Sequence, residues 1–588
     1  MNSPPICAVL LLASLLIPTA SSQEEQNEMI SQMTECVSNV NQDLPKVCDL
    51  TPYRSITGVC NNRKKTNLGA SNTGFTRFLM PEYEDKNSLP RGWTADLPIN
   101  GFTLPLAHDV SNEVAKISKR SIIEDSRIGR MVIQFGQFVE HDITFSPPTP
   151  TSSFLEDVDC NRCVKTHPCF PIMFSPSDPR YINGTECIPF IRSASVCSQT
   201  NPVREQVNMQ TSYLDGSQIY GSDNNLANLL RNNTNQLGLL AVNQNFSDHG
   251  FAFLPFDENA TDQCSMVDPS VKGPCFTAGD SRVNKQPMLT ALHTLFMREH
   301  NRLVTELHEL NPNWTGEKLY QEARKIMGAV LQKVTYKDWL PRMLGNEISK
   351  ELPPYTSYDE DVNPAVANVF PIAFRTGHIS NLLAEDYSPT NETSVTPWST
   401  VKDGIDPVLR DSLLNKVRQN LLVNGIRTDL MSFIIQRGRD HGIPGYNDWR
   451  RFCGLSAPNN LDELADVLMN RELAEKLINL YGTVENIDMS VGGISEPPVA
   501  NGRIGKSLTC LFGKQFRRLR DGDSYYYEHS SVFSSAQRRS IESVTLAQII
   551  CANTNIKKVP PNVFMANDYS DFMECSNFPV MDLTPWKA

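Results

Sequence analysis

The chain lacks long hydrophobic runs except at its start, where residues 1–22 contain no Lys, Arg, Asp or Glu. The apolar stretch ICAVLLLASLLIPTA, followed by small residues, is typical of a secretory signal peptide, and we expect cleavage near Ser22. After it, no apolar run reaches the roughly 18 residues that a membrane-spanning helix needs. We therefore expect no membrane span, and a protein that is secreted or stored in a secretory granule.

The sequence also lacks an excess of basic residues, internal repeats and long low-complexity segments. Its net charge of −12 argues against general binding to nucleic acid or to anionic membranes. One of the 15 cysteines, Cys7, lies in the predicted signal peptide, which leaves 14, an even number that suits disulfides in an oxidising compartment. Sequons for N-glycosylation fit the same export route and stand at Asn183, Asn232, Asn245, Asn259, Asn313 and Asn391.

Few stretches alternate between apolar and polar residues as half-buried strands do. From about residue 101 onward helical periodicity dominates, and it predicts helices over 125–143, 222–232, 287–309, 316–334, 363–378, 407–420, 460–481 and 536–550. Residues 23–100 are polar and rich in turn-like clusters. We therefore expect a mainly α-helical protein. In it, 1–22 is a signal peptide, 23–100 an irregular N-terminal extension packed on the domain, and 101–588 one large domain.

Two motifs suggest sites that we do not favour. CNRCVKTHPC, residues 160–169, spaces cysteines and His167 as in a zinc cluster, but in a secreted chain with paired cysteines disulfides are the better interpretation. GRIGKS, residues 502–507, approaches a phosphate-binding loop. Its first required glycine is replaced by Ala500, so we discard it.

The segment GQFVEHD, residues 136–142, places polar residues inside an otherwise apolar run. In a helix, Gln137, Glu140 and His141 share one face, because they are spaced three and four residues apart. Buried polar groups need partners, since an unpaired one costs a few kcal/mol. This face should therefore meet another polar group, a metal or a cofactor. On this stretch alone, a paired polar patch is as good an interpretation as a ligand site.

The loop TSYLDGS offers oxygen ligands on one side. It sets Thr211, Tyr213, Asp215 and Ser217 at alternate positions, which in an extended loop point the same way. Hydroxyl, carboxylate and carbonyl oxygens are the ligands that Ca²⁺ prefers. Alone, such a motif is more often a solvated turn. A second carboxylate would favour calcium, and Asp142 of the previous motif is the candidate.

Two more polar positions adjoin predicted helices. Arg282 stands in AGDSRVNKQP ahead of a long helix, where a surface ion pair is the simpler interpretation. Arg375 and His378 end the apolar stretch NPAVANVFPIAF. A lone histidine beside a helix is usually structural, although the chain has only ten histidines.

Taken in order along the chain, these motifs resemble those of the animal haem peroxidases. The matching segments are GQFVEHD, TSYLDGSQIYGS, AGDSRVNKQP, REHNRL, NVFPIAFRTGH, QRGRDHGIPGYNDWRRFCGL and FRRLRDGDSYYYE. Each is weak alone, but the ordered set is specific and spans roughly residues 36–588. The resemblance implies a large, mainly helical single domain that holds haem between helices, has little β structure and contains several disulfides.

The resemblance also implies a role for each matching residue. His141 would be the distal base that moves a proton between the peroxide oxygens. Arg282 would stabilise developing charge, and Gln137 would bind distal water or a halide. Haem would be held by His378 at the iron and by Arg375 and Arg437 at the propionates. Calcium would be held by Asp142, Thr211, the carbonyl of Tyr213, Asp215 and Ser217.

The family's disulfides map onto all fourteen cysteines. The implied pairs are Cys36–Cys197, Cys48–Cys60, Cys160–Cys169, Cys163–Cys187, Cys264–Cys275, Cys453–Cys510 and Cys551–Cys575. Since no cysteine then remains for an intermolecular bridge, we expect a monomer.

The chain departs from the family at the residues that attach haem. The family forms ester links from an aspartate and a glutamate. Here these positions are Glu140, which is one methylene longer, and Lys285, whose amine cannot form that ester. Gln286 replaces the methionine that forms a sulfonium link in one branch of the family. We therefore expect haem b with at most one ester link, through Glu140.

A further departure concerns the proximal side. The family places an asparagine where this chain has Ile434, in FIIQR, and that asparagine accepts a hydrogen bond from the proximal histidine. An aliphatic side chain accepts none, and loss of such a partner commonly changes a metal site tenfold or more. Without a substitute acceptor, such as water or a backbone carbonyl, His378 should be less imidazolate-like and the iron reduction potential higher.

Three hypotheses on function follow. The first is a secreted enzyme that uses H₂O₂ to oxidise iodide, bromide, thiocyanate or phenolic donors. We do not expect chloride oxidation, because a haem with fewer covalent links is less distorted. The second is a haem- and calcium-binding secreted protein that has lost peroxidase turnover, which Lys285 and Ile434 motivate. The third, a structural protein that never binds haem, is disfavoured by the retention of His378, Arg375 and Arg437.

Overall fold

The computed structural model describes residues 36–37, 48, 51–118, 123–151, 158–178, 181, 186–197, 202–234, 236–257, 275–382, 397–414, 416–419 and 429–588. The predicted signal peptide lies outside the described residues, as do Cys264 and the sequons at Asn183, Asn259 and Asn391. Across the described part of the chain, no helix combines the length and the apolar character needed to cross a membrane.

The architecture is mainly α-helical, which confirms the predicted class. The α-helices are α1 (Ala107–Ser118), α2 (Met131–Ile143), α3 (Ser217–Tyr220), α4 (Asn224–Leu229), α5 (Pro287–Leu310), α6 (Gly316–Lys333), α7 (Leu340–Leu344), α8 (Ile348–Glu351), α9 (Val369–Leu382), α10 (Pro397–Asp403), α11 (Asp406–Leu414), α12 (Leu430–Asp440), α13 (Tyr446–Phe452), α14 (Leu461–Leu468), α15 (Arg471–Tyr481), α16 (Met489–Ser495), α17 (Lys506–Asp521), α18 (Ser535–Ser543) and α19 (Leu546–Asn553). A π-helical segment, Val334–Trp339, joins α6 to α7. Short 3₁₀ turns lie at Cys160–Arg162, Ser281–Asn284, Gly345–Glu347, Val484–Asn486, Tyr569–Asp571, Cys575–Asn577 and Thr584–Trp586.

The β structure of the described residues consists of two-stranded ribbons. Cys36–Val37 pairs in parallel with Ser195–Val196. The antiparallel pairs are Thr73–Gly74 with Val207–Asn208, Pro98–Ile99 with Phe102–Thr103, Ile123–Gly129 with Lys416–Gln419, Ile172–Met173 with Cys187–Ile188, Ser247–Asp248 with Phe251–Ala252, Phe256–Asp257 with Cys275–Phe276, and Lys558–Val559 with Met573–Glu574. None is large enough to form a core of its own, so the helices carry the hydrophobic core.

The two longest helices of the domain lie where the periodicity predicts them, since 287–309 and 316–334 correspond to α5 and α6. The predictions for 222–232 and 363–378 correspond to α4 and α9 with shifted ends. Two predictions are wrong at one end: residues 125–129 and 416–419, predicted as helix, are strands that pair with each other. The helices without a counterpart among the predicted ones are α1, α3, α7, α8, α10, α12, α13, α16 and α17.

Two predicted helices are each divided in two. The predicted helix 460–481 breaks after Met469, whose φ of 51° is left-handed, and the Asn470 side chain then caps α15 by accepting from the Leu473 amide. The predicted helix 536–550 ends with α18, and a capping box of Thr545 and Gln548 begins α19. Side-chain caps compete with helical hydrogen bonds locally, which a count of apolar spacing does not register.

Helix α2 runs through the interior and contacts α5 and α9. Its backbone approaches the π-helical segment closely: a Cβ on Gly136 would lie 2.9 Å from the Trp339 ring. The Trp339 indole donates to the Val132 carbonyl at 2.7 Å and stacks on Phe374 of α9. Trp339 therefore fixes the spacing between α2 and α9, the two helices that carry most of the predicted site.

Six of the seven implied disulfides are present and confirmed. They are Cys36–Cys197, Cys48–Cys60, Cys160–Cys169, Cys163–Cys187, Cys453–Cys510 and Cys551–Cys575. The seventh pair involves Cys264, outside the described residues. Because Cys160, Cys163 and Cys169 are oxidised, the CNRCVKTHPC segment is a disulfide cluster and not a zinc site.

A buried ion pair ties the end of α12 to a distant loop. Arg192 Nε lies 2.6 Å from Asp440 Oδ1, and the Ser193 amide donates to Asp440 Oδ2 at 2.8 Å. Burial raises the pKa of Asp440, but Arg192 and its other cationic neighbours outweigh burial and lower that pKa to about 2. The carboxylate is therefore charged in the folded protein.

We expect Asp440→Asn to lower the free energy of unfolding by about 3–5 kcal/mol at pH 7, because Arg192 would remain buried without its counter-charge. The folded pKa lies below the ordinary value, so the contribution of the pair is present above about pH 4 and is lost as the pH falls towards 2. Denaturant titrations of both proteins at several pH values test this. The difference in the free energy of unfolding between wild type and Asp440→Asn should become smaller as the pH is lowered.

The matched control is Asp462→Asn, which removes an exposed partner of Arg471. It should leave the unfolding transition unchanged. If both variants lowered the free energy of unfolding equally, the buried pair would contribute no more to stability than the exposed one, and the prediction would be wrong.

Candidate functional site

The polar face predicted from GQFVEHD is buried in the middle of the domain. Glu140, His141 and Asp142 are each nearly inaccessible to solvent, and Gln137 is the only partly exposed residue of α2. The helix is apolar on its remaining sides because it packs between α5 and α9. Three ionisable side chains are therefore buried on one interior helix. Each of them needs a hydrogen-bonding partner, a counter-charge or a ligand.

His141 lies between two carboxylates at distances too long for hydrogen bonds. Its Nε2 is 3.7 Å from Glu140 Oε2, and its Nδ1 is 4.0 Å from Asp280 Oδ1. Burial, followed by the neighbouring Arg282 guanidinium, lowers the pKa of His141 to about 3. The imidazole is therefore neutral near physiological pH, which is the form that accepts a proton.

Arg282 is held by Asp280, two residues before it. The Asp280 carboxylate caps the turn Ser281–Asn284 by accepting from the Arg282 amide at 2.7 Å. It also accepts from Arg282 Nε at 2.9 Å and from Nη2 at 2.5 Å. Arg282 Nη2 donates further to the Thr144 carbonyl at 2.7 Å. Burial lowers the pKa of Arg282, but Asp280 outweighs burial and raises it, so the guanidinium stays charged.

Asp280 is a functional residue that the sequence reasoning missed. Besides Arg282, it receives a hydrogen bond of 2.8 Å from the Gln210 amide, whose residue adjoins the TSYLDGS loop. Arg282 and His141 outweigh burial and hold the pKa of Asp280 below its ordinary value. An aspartate immediately before a short turn is a capping signal. In AGDSR, this signal is the feature from which the position of Asp280 next to Arg282 could have been predicted.

Glu140 contacts groups from three elements. Its Oε1 accepts from the Thr144 hydroxyl at 2.8 Å and from Arg375 Nη2 at 3.2 Å. Its Oε2 lies 3.7 Å from Arg282 Nη1. Burial raises the pKa of Glu140, but Arg375 and then Arg282 outweigh burial and lower it to about 2. Glu140 is therefore a carboxylate that links α2 to α9.

Gln137 occupies the rim of the same face. Its side-chain oxygen accepts a hydrogen bond from Gln286, and Gln286 also lies 3.3 Å from the Gln134 oxygen. Because the Gln137 oxygen already accepts this hydrogen bond, the side chain can offer its N–H groups as donors to another ligand. Lys285, the other departure from the family pattern, precedes Gln286 and lies at the surface.

Among the buried polar atoms at this site that make no hydrogen bond to the described residues are His141 Nδ1 and Arg282 Nη1. Both belong to residues that the resemblance assigns to peroxide chemistry. Because buried groups of this kind are normally satisfied, their presence together fits a site that completes itself with a ligand. The donor set, a neutral imidazole beside a guanidinium, suits a bound peroxide next to haem.

The predicted proximal residues lie on two helices in contact. His378 is in α9, but its side chain lies outside the described residues. Ile434, on α12, is buried at 2% exposure and has no polar atom in its side chain. The side chain at position 434 therefore offers no hydrogen-bond acceptor, as the sequence predicts. Helix α9 packs directly against α12 and against α2.

Arg437, on α12, donates hydrogen bonds to the segment Ile191–Ser193. Its Nη1 donates to the Ile191 carbonyl at 3.0 Å and to the Ser193 hydroxyl at 2.9 Å, and its guanidinium lies over the Phe190 ring. Burial, partly offset by Asp440 and reinforced by the like charge of Arg375, lowers the pKa of Arg437 to about 10. Two cations that repel each other in this way suit an anionic ligand such as a propionate.

The predicted calcium ligands come together. Asp142, Thr211, Tyr213, Asp215 and Ser217 are all buried, with exposures of 2% or less. The Ser217 amide donates to Asp142 Oδ1 at 2.7 Å and to Asp215 Oδ1 at 3.1 Å. Burial, and for Asp142 also the Asp215 charge, raises the pKa of both carboxyls. Two adjacent buried carboxylates and hydroxyl oxygens are a donor set that fits Ca²⁺.

Within the described ranges, no group of three or more His, Cys, Asp and Glu side chains is placed so that it could hold a metal ion. The predicted calcium ligands are compatible with this, because only Asp142 and Asp215 among the five are acidic and the others would offer hydroxyl or carbonyl oxygens.

Comparison with known proteins agrees with this geometry. A family model described as "Animal haem peroxidase" matches residues 53–564. Myeloperoxidase of Mus musculus is 47% identical over 570 residues, which cover 91% of this chain and 79% of that protein. Lactoperoxidase of Mesocricetus auratus is 46% identical over 579 residues, which cover 92% and 81%. Among solved structures, peroxidase A of Dictyostelium discoideum aligns with a TM-score of 0.70 at 26% identity, covering 88% of this chain and 100% of that one.

We expect Asp280→Asn to reduce the rate at which the haem-loaded protein reacts with H₂O₂ by about 10–100-fold, the usual effect of removing a group that orients a ligating or catalytic side chain. The amide keeps the size of the carboxylate but removes the charge that holds Arg282. Stopped-flow absorption in the Soret region measures this rate.

Asp159→Asn is the matched control, because Asp159 also caps a short turn through its side chain, the turn Cys160–Arg162, but is exposed to solvent. It should react at the wild-type rate. A wild-type rate for Asp280→Asn with full haem content would show that Asp280 does not position Arg282.

Proposed function

Because the chain belongs to the animal haem peroxidase family, we propose that it is a secreted or granule-stored peroxidase that uses H₂O₂ to oxidise small anionic or phenolic donors. The observation that carries this proposal is that two buried atoms, His141 Nδ1 and Arg282 Nη1, make no hydrogen bond to any described residue. A neutral base and a fixed cation are the two groups that heterolysis of a peroxide requires.

Haem would lie between α2 and α9, with His378 binding the iron and Arg375 and Arg437 binding the propionates. Support comes from the packing of α9 against both α2 and α12 and from the mutual repulsion of the two arginines, which an anion would relieve. When bound, haem supplies the oxidising capacity: H₂O₂ removes two electrons from it, and a donor returns them. The domain would comprise residues 101–588, with 23–100 as an extension.

The chain's own residues provide the proton transfers. His141, neutral before the reaction, accepts the proton of one peroxide oxygen at a ring nitrogen and returns it to the oxygen that leaves as water. While it is protonated, the Glu140 and Asp280 carboxylates at 3.7 and 4.0 Å stabilise the imidazolium. Arg282, fixed by Asp280, donates Nη1 to the charge that develops on the leaving oxygen.

The donor would be a halide, a thiocyanate or a phenol. The Gln137 oxygen is engaged by Gln286, so the Gln137 N–H groups are oriented to donate to an anion. Lys285 adds positive charge at the surface nearby. Iodide, bromide and thiocyanate are favoured over chloride, because Lys285 forms no ester and the haem would carry at most one covalent link, through Glu140.

A second candidate function rests on Ile434. Its burial among apolar groups gives His378 no side-chain hydrogen-bond acceptor at that position, and this weakens the electron donation that assists O–O cleavage. A haem- and calcium-binding secreted protein without turnover is therefore the alternative. The intact His141 and Arg282 pair favours the enzyme.

We expect His141→Leu to lower the rate of reaction with H₂O₂ by about 10²–10⁴-fold while haem binding is retained, since proton transfer by a positioned base contributes that much. The experiment uses secreted protein from haem-supplied cells and follows the Soret band after peroxide addition. His249→Asn is the control, because His249 is exposed and has a left-handed φ of 51° that asparagine adopts readily.

A Soret band in wild type that does not respond to peroxide would favour the haem-binding non-enzyme. Absence of a Soret band would overturn the peroxidase proposal. Acid–organic extraction of the same samples tests the single ester link, because haem that stays with the protein is covalently attached and haem that is released is not.

The proposed calcium ion would join α2 to the loop 211–217. We expect Asp215→Asn to abolish calcium binding and to lower the thermal unfolding midpoint, because Asp142 would remain buried with half the negative charge of the site. Metal analysis and calorimetry measure these changes. A chelator should destabilise wild type but not the variant, and Asp361→Asn, at an exposed surface pair, should behave as wild type. Full calcium content in Asp215→Asn would contradict this assignment.

A further inference from the structure

His108, on α1, is clamped between two aspartates from different parts of the chain. Its Nε2 lies 2.5 Å from Asp178 Oδ2, and its Nδ1 lies 2.5 Å from Asp429 Oδ2. All three side chains are largely buried, with exposures of 2% for His108, 3% for Asp178 and 13% for Asp429. The ring edge of His108 also contacts Phe174.

The geometry decides the protonation state of the ring. A neutral imidazole has one N–H, so it can donate to one carboxylate and must present a lone pair to the other. An imidazolium donates to both. With both aspartates ionised, a carboxylate oxygen lies at hydrogen-bond distance from each ring nitrogen, and only the charged ring donates to both.

Asn112 lies one helical turn from His108 and fits the same state. Its amide is 2.8 Å from His108 Nε2 and 3.4 Å from Asp178 Oδ2. The oxygen and nitrogen of an asparagine exchange places by a half-turn of the amide. With the oxygen towards Nε2, Asn112 accepts from the same N–H and reinforces the imidazolium.

Asp429 connects this clamp to the helix that carries the proposed proximal residues. It is the N-cap of α12, and its Oδ1 accepts from the Ser432 amide at 3.1 Å and from the Ser111 hydroxyl of α1 at 2.6 Å. Burial raises the pKa of Asp429, but the hydrogen bonds from His108, Ser111 and Ser432 outweigh burial and lower it. Asp429 therefore stays ionised and holds α1 against the first turn of α12.

The proposed proximal residues follow on the same helix. Ile434 and Arg437 lie about one and two turns beyond the first residue of α12, and α12 packs against α9, the helix of His378. A change in the position or rotation of the first turn of α12 is transmitted along a rigid helix to both residues.

The charged groups of the elements packed against α1 have partners of their own. Helix α1 contacts α12, α15 and the strand Ile172–Met173. On α15, Lys476 lies 4.0 Å from Glu113 of α1 and 3.5 Å from Glu472. On α12, Arg439 pairs with Asp488 at 2.7 Å and Arg437 lies 3.4 Å from Asp440. Within the described residues, Asp178 and Asp429 supply the carboxylates at hydrogen-bond distance from the His108 ring.

We propose that His108, as an imidazolium held between Asp178 and Asp429, is a pH-sensitive positioning residue that fixes the first turn of α12 and thereby sets Arg437 and Ile434 against the proximal side of the haem. The clamp itself stands on the geometry of the three side chains. Its consequence for haem rests on the proposed function.

The sign of the pH dependence follows from the protonated state. While His108 carries its second proton, both carboxylates accept hydrogen bonds and α12 is held. As the pH rises through the value at which His108 loses that proton, one carboxylate faces a lone pair and the clamp weakens. Anchoring of α12 is therefore strongest at acidic pH, as in a secretory granule, and declines towards alkaline pH.

The test compares wild type with His108→Arg and His108→Asn between about pH 5 and pH 9, the range in which an imidazole held by carboxylates changes charge. Arginine keeps a permanent cation with donors for two carboxylates, and asparagine removes the charge. The first readout is the thermal unfolding midpoint. Wild type should lose stability as the pH rises, whereas His108→Arg should not, and His108→Asn should be destabilised mainly at acidic pH.

The second readout is the rate of haem transfer from each protein to an excess of an apo-globin acceptor. In wild type, this rate should rise from acidic to alkaline pH by about tenfold, the size of one hydrogen bond to a charged group. In His108→Arg the rise should be absent. Asp178→Asn, which removes one carboxylate, should move the wild-type transition to lower pH in both readouts.

The outcomes separate the clamp from the proposed function. The same pH profile for wild type and His108→Arg in unfolding would overturn the clamp. If the two proteins differed in the pH dependence of unfolding but not in that of haem transfer, the positioning role of His108 would be overturned. If the purified proteins bind no haem, the positioning role fails together with the proposed function, while the unfolding profiles still support or overturn the clamp.

Discussion

The ion pair between Asp280 and Arg282 is the constraint on which the rest of the site depends. Arg282 is buried beside His141, and a buried cation is tolerated only with a counter-charge at hydrogen-bond distance. Asp280 supplies that charge and at the same time caps the turn that places Arg282. Burial and then the charge of Arg282 lower the pKa of His141, and the Asp280 carboxylate offsets only part of this effect, so the histidine stays neutral in the interior.

Charge balance extends this argument across the site. Glu140 faces Arg375 and Arg282, so that two carboxylates and two guanidinium groups surround one neutral imidazole. The arrangement needs a rigid frame, since hydrogen bonds between charged groups form only over a narrow range of distances and angles. Trp339 supplies part of that frame by contacting α2 at Gly136 and α9 at Phe374.

Sequence reasoning reached the elements that local pattern encodes. The polar residues of GQFVEHD stand out in an apolar run, and the alternating oxygens of TSYLDGS fold into one cluster with Asp142. The resemblance supplied the disulfide pairs that spacing alone leaves open. What sequence could not provide is pairing at long range: the two strands that replace parts of predicted helices contact each other, and His108 meets Asp429 across 321 residues. The helix break after Met469 was missed for another reason, because it depends on one left-handed residue and a side-chain cap.

Arg375 is the ion-pair partner of Glu140 and is also proposed to bind a haem propionate. These two roles are consistent if the charge of Glu140 changes when haem is attached. As a free carboxylate, Glu140 is the partner of Arg375. An ester between Glu140 and haem would remove that negative charge, and Arg375 would then lack a counter-ion on α2. In the proposed haem complex, a propionate would supply one. Ester formation at Glu140 and propionate binding at Arg375 would then be electrostatically coupled, and attachment of haem at one edge would strengthen its binding at another. Because Lys285 cannot form a second ester, this proposed coupling would act through the Glu140–Arg375 contact.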